Sequence, residues 1–139
     1  MFLLDTNVLS ALMRVTPPPE VAAFVSRPPV ERLFTAAVCQ AEILAGLAVM
    51  PEGRRRLDLT AAARAMFQED FDRRVLSFDP PAAVAYAEIF ATRRRLGRPG
   101  AMADLMIASV ARSQGFGDVT RNVADFSDCG VAVVDPWAG

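Results

Sequence analysis

The chain has 139 residues, 53% of them hydrophobic, with a net charge of −1 at pH 7. This length suits one compact domain, and charged residues interrupt every apolar run before it reaches membrane-spanning length. Histidine and lysine are absent, which excludes imidazole catalysis, most serine or cysteine triads and lysine-dependent phosphate sites, so any hydrolysis must use carboxylates and metal.

The first half of the chain alternates short apolar runs with helical patterns. A strand is predicted at residues 2–4, and Asp5-Thr6-Asn7 supplies capping residues for the helix that follows. Prolines and a glycine separate the later segments. After the first strand, the predicted elements are helices at 8–13 and 20–26, a strand at 33–35, and helices at 37–50 and 54–71.

The second half continues the same alternation. The predicted elements are a strand at 75–78, helices at 80–96 and 101–114, and strands at 118–120 and 131–134 with a loop between them. Short apolar strands separated by helices of ten or more residues predict an α/β fold with a parallel sheet covered on both faces. The chain shows neither linkers nor repeats, so we expect a single domain over residues 1–139.

Three acids have positions that suggest function. Asp5 follows the first predicted strand, where ligands bind in parallel sheets, although a lone aspartate there can also simply cap a helix. Glu42 and Asp104 each have small or apolar neighbours three and four positions away, so both are predicted to face inward. An ionised carboxylate that faces the core is unfavourable unless a cation compensates its charge. That cation is either a bound metal ion or an arginine that the fold brings close.

Five motifs in the right order resemble the PIN-domain ribonucleases, specifically the VapC toxins and their FitB-like branch. They are Leu3-Leu4-Asp5-Thr6-Asn7-Val8, Ala41-Glu42-Ile43-Leu44-Ala45-Gly46, Ala103-Asp104-Leu105-Met106-Ile107-Ala108, Thr120-Arg121-Asn122-Val123-Ala124-Asp125-Phe126 and Val133-Val134-Asp135-Pro136-Trp137. Each motif alone is weak, but together they span nearly the whole chain.

The resemblance implies a three-layer α/β/α fold whose five parallel strands have the order 3-2-1-4-5. It implies a Mg²⁺- or Mn²⁺-dependent endoribonuclease that leaves 5′-phosphate ends, forms a homodimer and is inhibited by a VapB-like, DNA-binding antitoxin. The catalytic and metal-binding acids carry over as Asp5, Glu42, Asp104 and Asp125. The supporting residues carry over as Thr6, Asn7, Thr120 and Asn122.

The chain departs from the family pattern in two places. Asn122 stands where many PIN domains have an aspartate, so the resemblance leaves open whether Asn122, Asp125 or both bind the metal. Cys39 stands where a hydroxyl residue is frequent, which is expected to weaken a contact to Glu42. Asp118 occupies a position where an apolar strand residue is expected, and the pattern gives no account of it.

Arginines are the only basic residues available to meet RNA. Arg121 and Arg98 are candidates for RNA or antitoxin contacts, whereas the triplets at 54–56 and 93–95 are typical of solvated helix faces or phosphate contacts. Asp58 lies among arginines and is expected on a solvated helix surface, and Glu88, near the 93–95 triplet, is expected to be half exposed. Apolar residues of the early helices suit a groove for an antitoxin helix, a dimer interface or a plain core.

Rival functions are limited by the same composition. Phosphoryl transfer by a dehalogenase-like or receiver-like domain normally needs a lysine, which the chain lacks. A non-catalytic PIN-like module that binds RNA or protein stays open, and Asn122 is its one sign. With no signal-like N-terminus and only Cys39 and Cys129 as thiols, we expect a cytoplasmic protein without membrane contact.

Overall fold

Five short parallel strands form one sheet in the computed structural model, which describes residues 1–138. Their order is β3-β2-β1-β4-β5, so the predicted topology is confirmed. The strands are β1 (Phe2–Leu4), β2 (Leu33–Ala36), β3 (Val75–Leu76), β4 (Gly117–Val119) and β5 (Val133–Val134).

Seven α-helices connect these strands within residues 1–138. They are α1 (Thr6–Leu12), α2 (Pro19–Ser26), α3 (Ala37–Ala48), α4 (Arg54–Ala65), α5 (Pro80–Arg95), α6 (Met102–Gln114) and α7 (Val123–Phe126). Short 3-10 turns lie at Val30–Arg32 and Pro136–Ala138. No helix in this part of the chain is long and apolar enough to cross a membrane.

The helices cover both faces of the sheet. Leu3 and Leu4 are neighbours on the central strand β1, so their side chains point to opposite faces, and both are fully buried. Helices α5 and α6 pack against each other, and α1 packs against α2 and α3. The predicted three-layer architecture is therefore confirmed.

Two predicted boundaries were wrong for local reasons. The predicted loop after β4 contains α7, a single turn too short to show a helical period in the sequence. The predicted helix over 54–71 ends its α-helical part at Ala65 and continues as a π-helical segment, Met66–Asp70. There the amide of Phe71 donates to the carbonyl of Met66 at 2.9 Å, and both side chains enter the core.

Candidate active site

Two strand ends meet at the centre of the sheet and carry the first polar residues of the site. Asp5 follows β1 and Thr120 follows β4, and these two strands are direct neighbours in parallel register. The amide of Asp5 donates to the carbonyl of Val119 at 2.9 Å, which extends the pairing past the end of β1. Sequence-distant polar side chains are thereby brought together at the carboxyl edge of the sheet.

Asp5 is held as a hydrogen-bond acceptor. The Thr120 hydroxyl donates to its Oδ2 at 2.6 Å, and the amide of Thr6 donates to its Oδ1 at 2.7 Å. Asn7 Nδ2 lies 3.3 Å from Oδ2. Because Asp5 also caps α1 through Thr6, one carboxylate serves the helix and the candidate site at once.

Asn7 and Thr120 fasten the loop after β4 to α1. Asn7 Nδ2 donates to the Thr120 hydroxyl at 3.1 Å, and Asn7 Oδ1 accepts from the amide of Arg121 at 3.1 Å. The amide of Asn122 also donates to the Thr120 hydroxyl at 3.1 Å. This network fixes the backbone from which Asn122 and Asp125 extend toward solvent.

Glu42 joins the site through Thr6, whose hydroxyl donates to Glu42 Oε1 at 2.6 Å. The prediction that Glu42 faces the core was wrong, because this side chain is exposed at the rim of the site. Its small neighbours Ala45 and Gly46 are exposed as well, so the apolar pattern around it does not mark a buried face. Thr6 thus supplies a hydroxyl contact to Glu42, whereas Cys39 was expected only to weaken one.

Mutual repulsion links four acids at this edge. Burial raises the pKa of Asp5, and the charges of Glu42 and Asp125 raise it further, against hydrogen bonds that lower it. Asp104, half-buried on α6, has its pKa raised to about 6 by burial and by the charges of the other three acids. The fold therefore gathers Asp5, Glu42, Asp104 and Asp125, which we call the acidic cluster.

Arginine does not neutralise the acidic cluster. In residues 1–138 the ion pairs join Arg54 to Asp58, Arg98 to Asp128 and Arg112 to Glu88. The charge of Arg93 does lower the pKa of Asp104, but it is the smallest of the effects on that group. The alternative of one guanidinium for each acid therefore does not describe this site.

The prediction that residues 93–95 form a solvated helix face was wrong for Arg93. Its side chain is buried and its donors go to backbone carbonyls. The Arg93 Nε donates to the carbonyl of Arg98 at 2.9 Å, and its Nη1 donates to that of Ser127 at 2.6 Å. These bonds hold the loop after α7 against the end of α5. Arg93 therefore has a structural role, and its guanidinium forms no ion pair with Asp104.

The donor set suits a hard divalent cation. Carboxylate oxygens, with threonine and asparagine oxygens beside them, are the ligands that Mg²⁺ and Mn²⁺ prefer. As the side chains are placed, no group of three or more acids or thiols in residues 1–138 could hold a metal ion. The agreement is in the chemistry of the mutually repelling oxygen donors: Asp5 is buried and Asp104 half-buried, and Glu42 and Asp125 are exposed.

Two features border the acidic cluster on its solvent side. A cleft of about 420 Å³ runs from Thr6 and Glu42 along α3 to α4, with Arg14 and Arg55 in its lining. The guanidinium of Arg121 stacks 4.9 Å from the ring centroid of Trp137, a contact that sequence reasoning missed. Arg98, by contrast, pairs with Asp128 at 3.2 Å.

The chain is similar to known proteins over nearly its whole length. A PIN domain family model matches residues 2–129. Plasmid stability protein StbB of Pseudomonas syringae pv. tomato is 37% identical over 137 residues, 99% of each chain. VapC ribonuclease Y4jK of Sinorhizobium fredii is 34% identical over 137 residues, 99% of this chain and 98% of that one. A chain in the structure of FitAB bound to an IR36 DNA fragment gives a TM-score of 0.90 at 33% identity, covering 99% of this chain and 96% of that one. All four acids of the cluster lie within the matched region.

Proposed function

Because the chain belongs to the PIN domain family, we propose that it is the toxin of a type II toxin–antitoxin pair and that its acidic cluster cleaves RNA with a divalent metal ion. The family match and the likeness to FitAB agree with the FitB-like branch indicated by the motifs. The observation that carries the catalytic part is the acidic cluster itself: four carboxylates gathered at one sheet edge without a paired arginine.

The chain's own residues have distinct tasks in this proposal. Asp5, Asp104, Glu42 and Asp125 would hold Mg²⁺ or Mn²⁺, and Asn122 stands beside them as a neutral oxygen donor. When bound, the ion supplies Lewis-acid chemistry that lowers the pKa of water and stabilises negative charge on a phosphate. Thr120 and Asn7 keep Asp5 oriented, and Thr6 orients Glu42.

The arginines that border the acidic cluster are the residues that would contact RNA. Arg14 and Arg55 line the cleft beside Glu42, so a phosphate of a bound strand can be met there by a positive charge. Arg121, stacked on Trp137, offers a second cationic group on the loop after β4, where its backbone amide donates to Asn7. A local arrangement of this kind is needed because the whole chain is slightly acidic.

Purified protein incubated with a structured RNA tests the nuclease. We expect cleavage that needs Mg²⁺ or Mn²⁺, stops in excess EDTA and is lost in Asp104→Asn. The matched control is Asp128→Asn, which removes a carboxylate in a nearby loop that is paired with Arg98 outside the cluster. Full cleavage in EDTA, or by Asp104→Asn, would contradict the proposal, and RNA binding without any cleavage would favour a non-catalytic PIN-like module.

An apolar groove of about 450 Å³ supports an antitoxin partner. It lies between α1, α2 and the π-helical segment, with Leu12, Val25 and Phe71 in its lining and Val30 exposed at its border. A groove of this kind suits the apolar face of an amphipathic helix. We propose that a DNA-binding antitoxin, acting in the cytoplasm, places such a helix here.

Co-expression tests the antitoxin proposal. This chain is co-expressed with a short DNA-binding protein that a neighbouring reading frame encodes. We expect the two proteins to co-purify and RNA cleavage to be silenced. Val30→Glu should break the complex while leaving cleavage intact. Leu57→Glu, which alters an exposed apolar residue outside the lining of the groove, should leave the complex intact. An undiminished complex with Val30→Glu would remove the groove from the proposal.

A further inference from the structure

Asp118 is a buried acid that the cluster described above does not use. It lies in the middle of β4 with no exposed surface, between Leu3 of β1 and Val133 of β5. Both of its carboxylate oxygens lack a hydrogen-bond partner, and they are the only such buried side-chain atoms in residues 1–138. A carboxyl group in that condition costs folding free energy, and an apolar side chain would avoid the cost.

The strand geometry directs Asp118 toward the acidic cluster. Asp118 and Thr120 are two residues apart on one extended segment, so their side chains leave the same face of the sheet. The hydroxyl of Thr120 reaches Asp5 on that face. After burial, the charges of Asp5 and Asp104 are the causes that raise the pKa of Asp118. Asp118 therefore lies beneath these two acids, on the side away from solvent.

We propose that Asp118 is a positioning residue that strengthens cation binding by Asp5 and Asp104, an inference that rests on the proposed metal-dependent function. Asp5 and Asp104 repel a negative charge at Asp118 while they are unneutralised. A cation held between them reverses that interaction, because its positive charge attracts the carboxylate behind them. Asp118 thus favours the loaded site over the empty one.

This role makes two measurable quantities move in opposite directions. If Asp118 serves the cation, its removal weakens cation binding while the metal-free protein becomes more stable. A buried carboxyl with no role predicts only the gain in stability. Affinity for a metal ion, measured directly, therefore separates the two accounts without relying on enzyme activity.

The experiment compares Mn²⁺ binding by isothermal titration calorimetry for the full chain and three variants. Asp118→Asn keeps the size of the side chain, and Asp118→Leu gives an apolar residue. Asp58→Asn is the control, because it removes an exposed carboxylate that pairs with Arg54 and does not belong to the acidic cluster. We expect both Asp118 variants to bind Mn²⁺ about 10-fold more weakly and the control to bind as the wild type does. In EDTA, Asp118→Leu should melt roughly a few degrees higher.

The outcomes distinguish failure of this inference from failure of the proposed function. Wild-type affinity in both Asp118 variants would overturn the positioning role and leave the proposed function intact. Absence of saturable Mn²⁺ binding by the wild type would overturn the proposed function and this inference with it. If Asp118→Leu does not fold, the affinity of Asp118→Asn decides alone.

Discussion

The acids of this chain fall into two regions with opposite electrostatics. Two carboxylates on the helical surface have arginine partners: Arg112 pairs with Glu88 at 2.6 Å, and Arg54 pairs with Asp58 at 3.5 Å one helical turn away. At the carboxyl ends of β1 and β4, four carboxylates lie together without an ion pair to arginine. Glu88 and Asp58 thus each have an arginine partner, whereas the four acids of the cluster have none.

This difference concerns stability: the surface ion pairs do not oppose it, whereas the crowding of the cluster acids does. Exposed ion pairs contribute little to stability but cost little as well. Crowded carboxylates are unfavourable, and Arg93, the buried arginine whose charge acts on Asp104, directs its donors to backbone carbonyls instead. An arrangement that opposes stability, and that the charge of Arg93 offsets only in small part, is typical of a site that binds a positive charge.

The largest expected effect comes from neutralising the centre of the acidic cluster. Asp5→Asn keeps the size of the side chain and its cap on α1 but removes a buried charge that accepts from Thr120. We expect RNA cleavage to fall by more than about 100-fold, since even residues that only support metal ligands commonly contribute 10–100-fold. Gel-based cleavage assays give the rate, and circular dichroism checks that the fold is retained. Cleavage within a few-fold of wild type would show that the cluster is not the catalytic centre.

A smaller loss is expected when a support of the cluster is removed. Thr120→Val keeps the shape of the side chain but removes the hydroxyl that donates to Asp5 at 2.6 Å and accepts from Asn7. We expect cleavage to fall by about 10–100-fold. Thr120→Ser should restore most of the rate, because the hydroxyl alone makes these bonds. A Ser variant as poor as the Val variant would assign Thr120 a packing role.

Stability in EDTA should depend on pH through the cluster. The pKa of Asp104 is about 6 in the fold against an ordinary 3.8, so the folded state holds this proton more tightly than the unfolded state. Its stabilising contribution is present at low pH and is lost as the pH rises through about 6. We expect metal-free protein to melt roughly 2–5 °C higher at about pH 5 than at about pH 7.5 from this group.

Two comparisons check the pH prediction by thermal melting. Asp104→Asn should flatten this part of the pH profile, and Mn²⁺ should raise the melting temperature more at the higher pH, where the carboxylates are ionised. A wild-type profile that Asp104→Asn leaves unchanged would mean that other groups set the pH dependence.

The smallest effect is expected on the paired surface. Asp58→Asn breaks an i,i+4 pair with Arg54 in which both side chains are mostly exposed. We expect a change in unfolding free energy below about 0.5 kcal/mol and unaltered RNA cleavage. Chemical denaturation measures the first and the cleavage assay the second. A large loss of RNA cleavage in Asp58→Asn would contradict the claim that the paired surface acids take no part in catalysis.

Sequence patterns predicted the frame of the site because they follow from local rules. An apolar trio ending in a capping aspartate placed Asp5 at a strand end, and the resemblance to PIN domains implied the strand order that puts β4 beside β1. Thr6, Asn7 and Thr120 were expected as supports from the motifs, and the fold places all three in hydrogen bonds around Asp5.

The remaining features depend on contacts that no local pattern encodes. Arg93 looks like one member of an exposed triplet, but one of its hydrogen-bond partners, the carbonyl of Ser127, lies more than thirty residues away in the sequence. Glu42 was expected inside because its neighbours are small, whereas small residues on α3 leave that face open to the cleft. Asp118 stood out as a polar residue in an apolar strand, yet only the fold places it beneath Asp5 and Asp104.

Direct titration of the wild-type chain with Mn²⁺ tests the central claim most closely. The account predicts saturable binding near neutral pH that is lost in Asp5→Asn and Asp104→Asn and retained in Asp58→Asn. RNA cleavage should rise with the same occupancy. Undiminished binding in the two cluster variants, or RNA cleavage by a chain that binds no divalent ion, would contradict the claim that these acids gather around a cation.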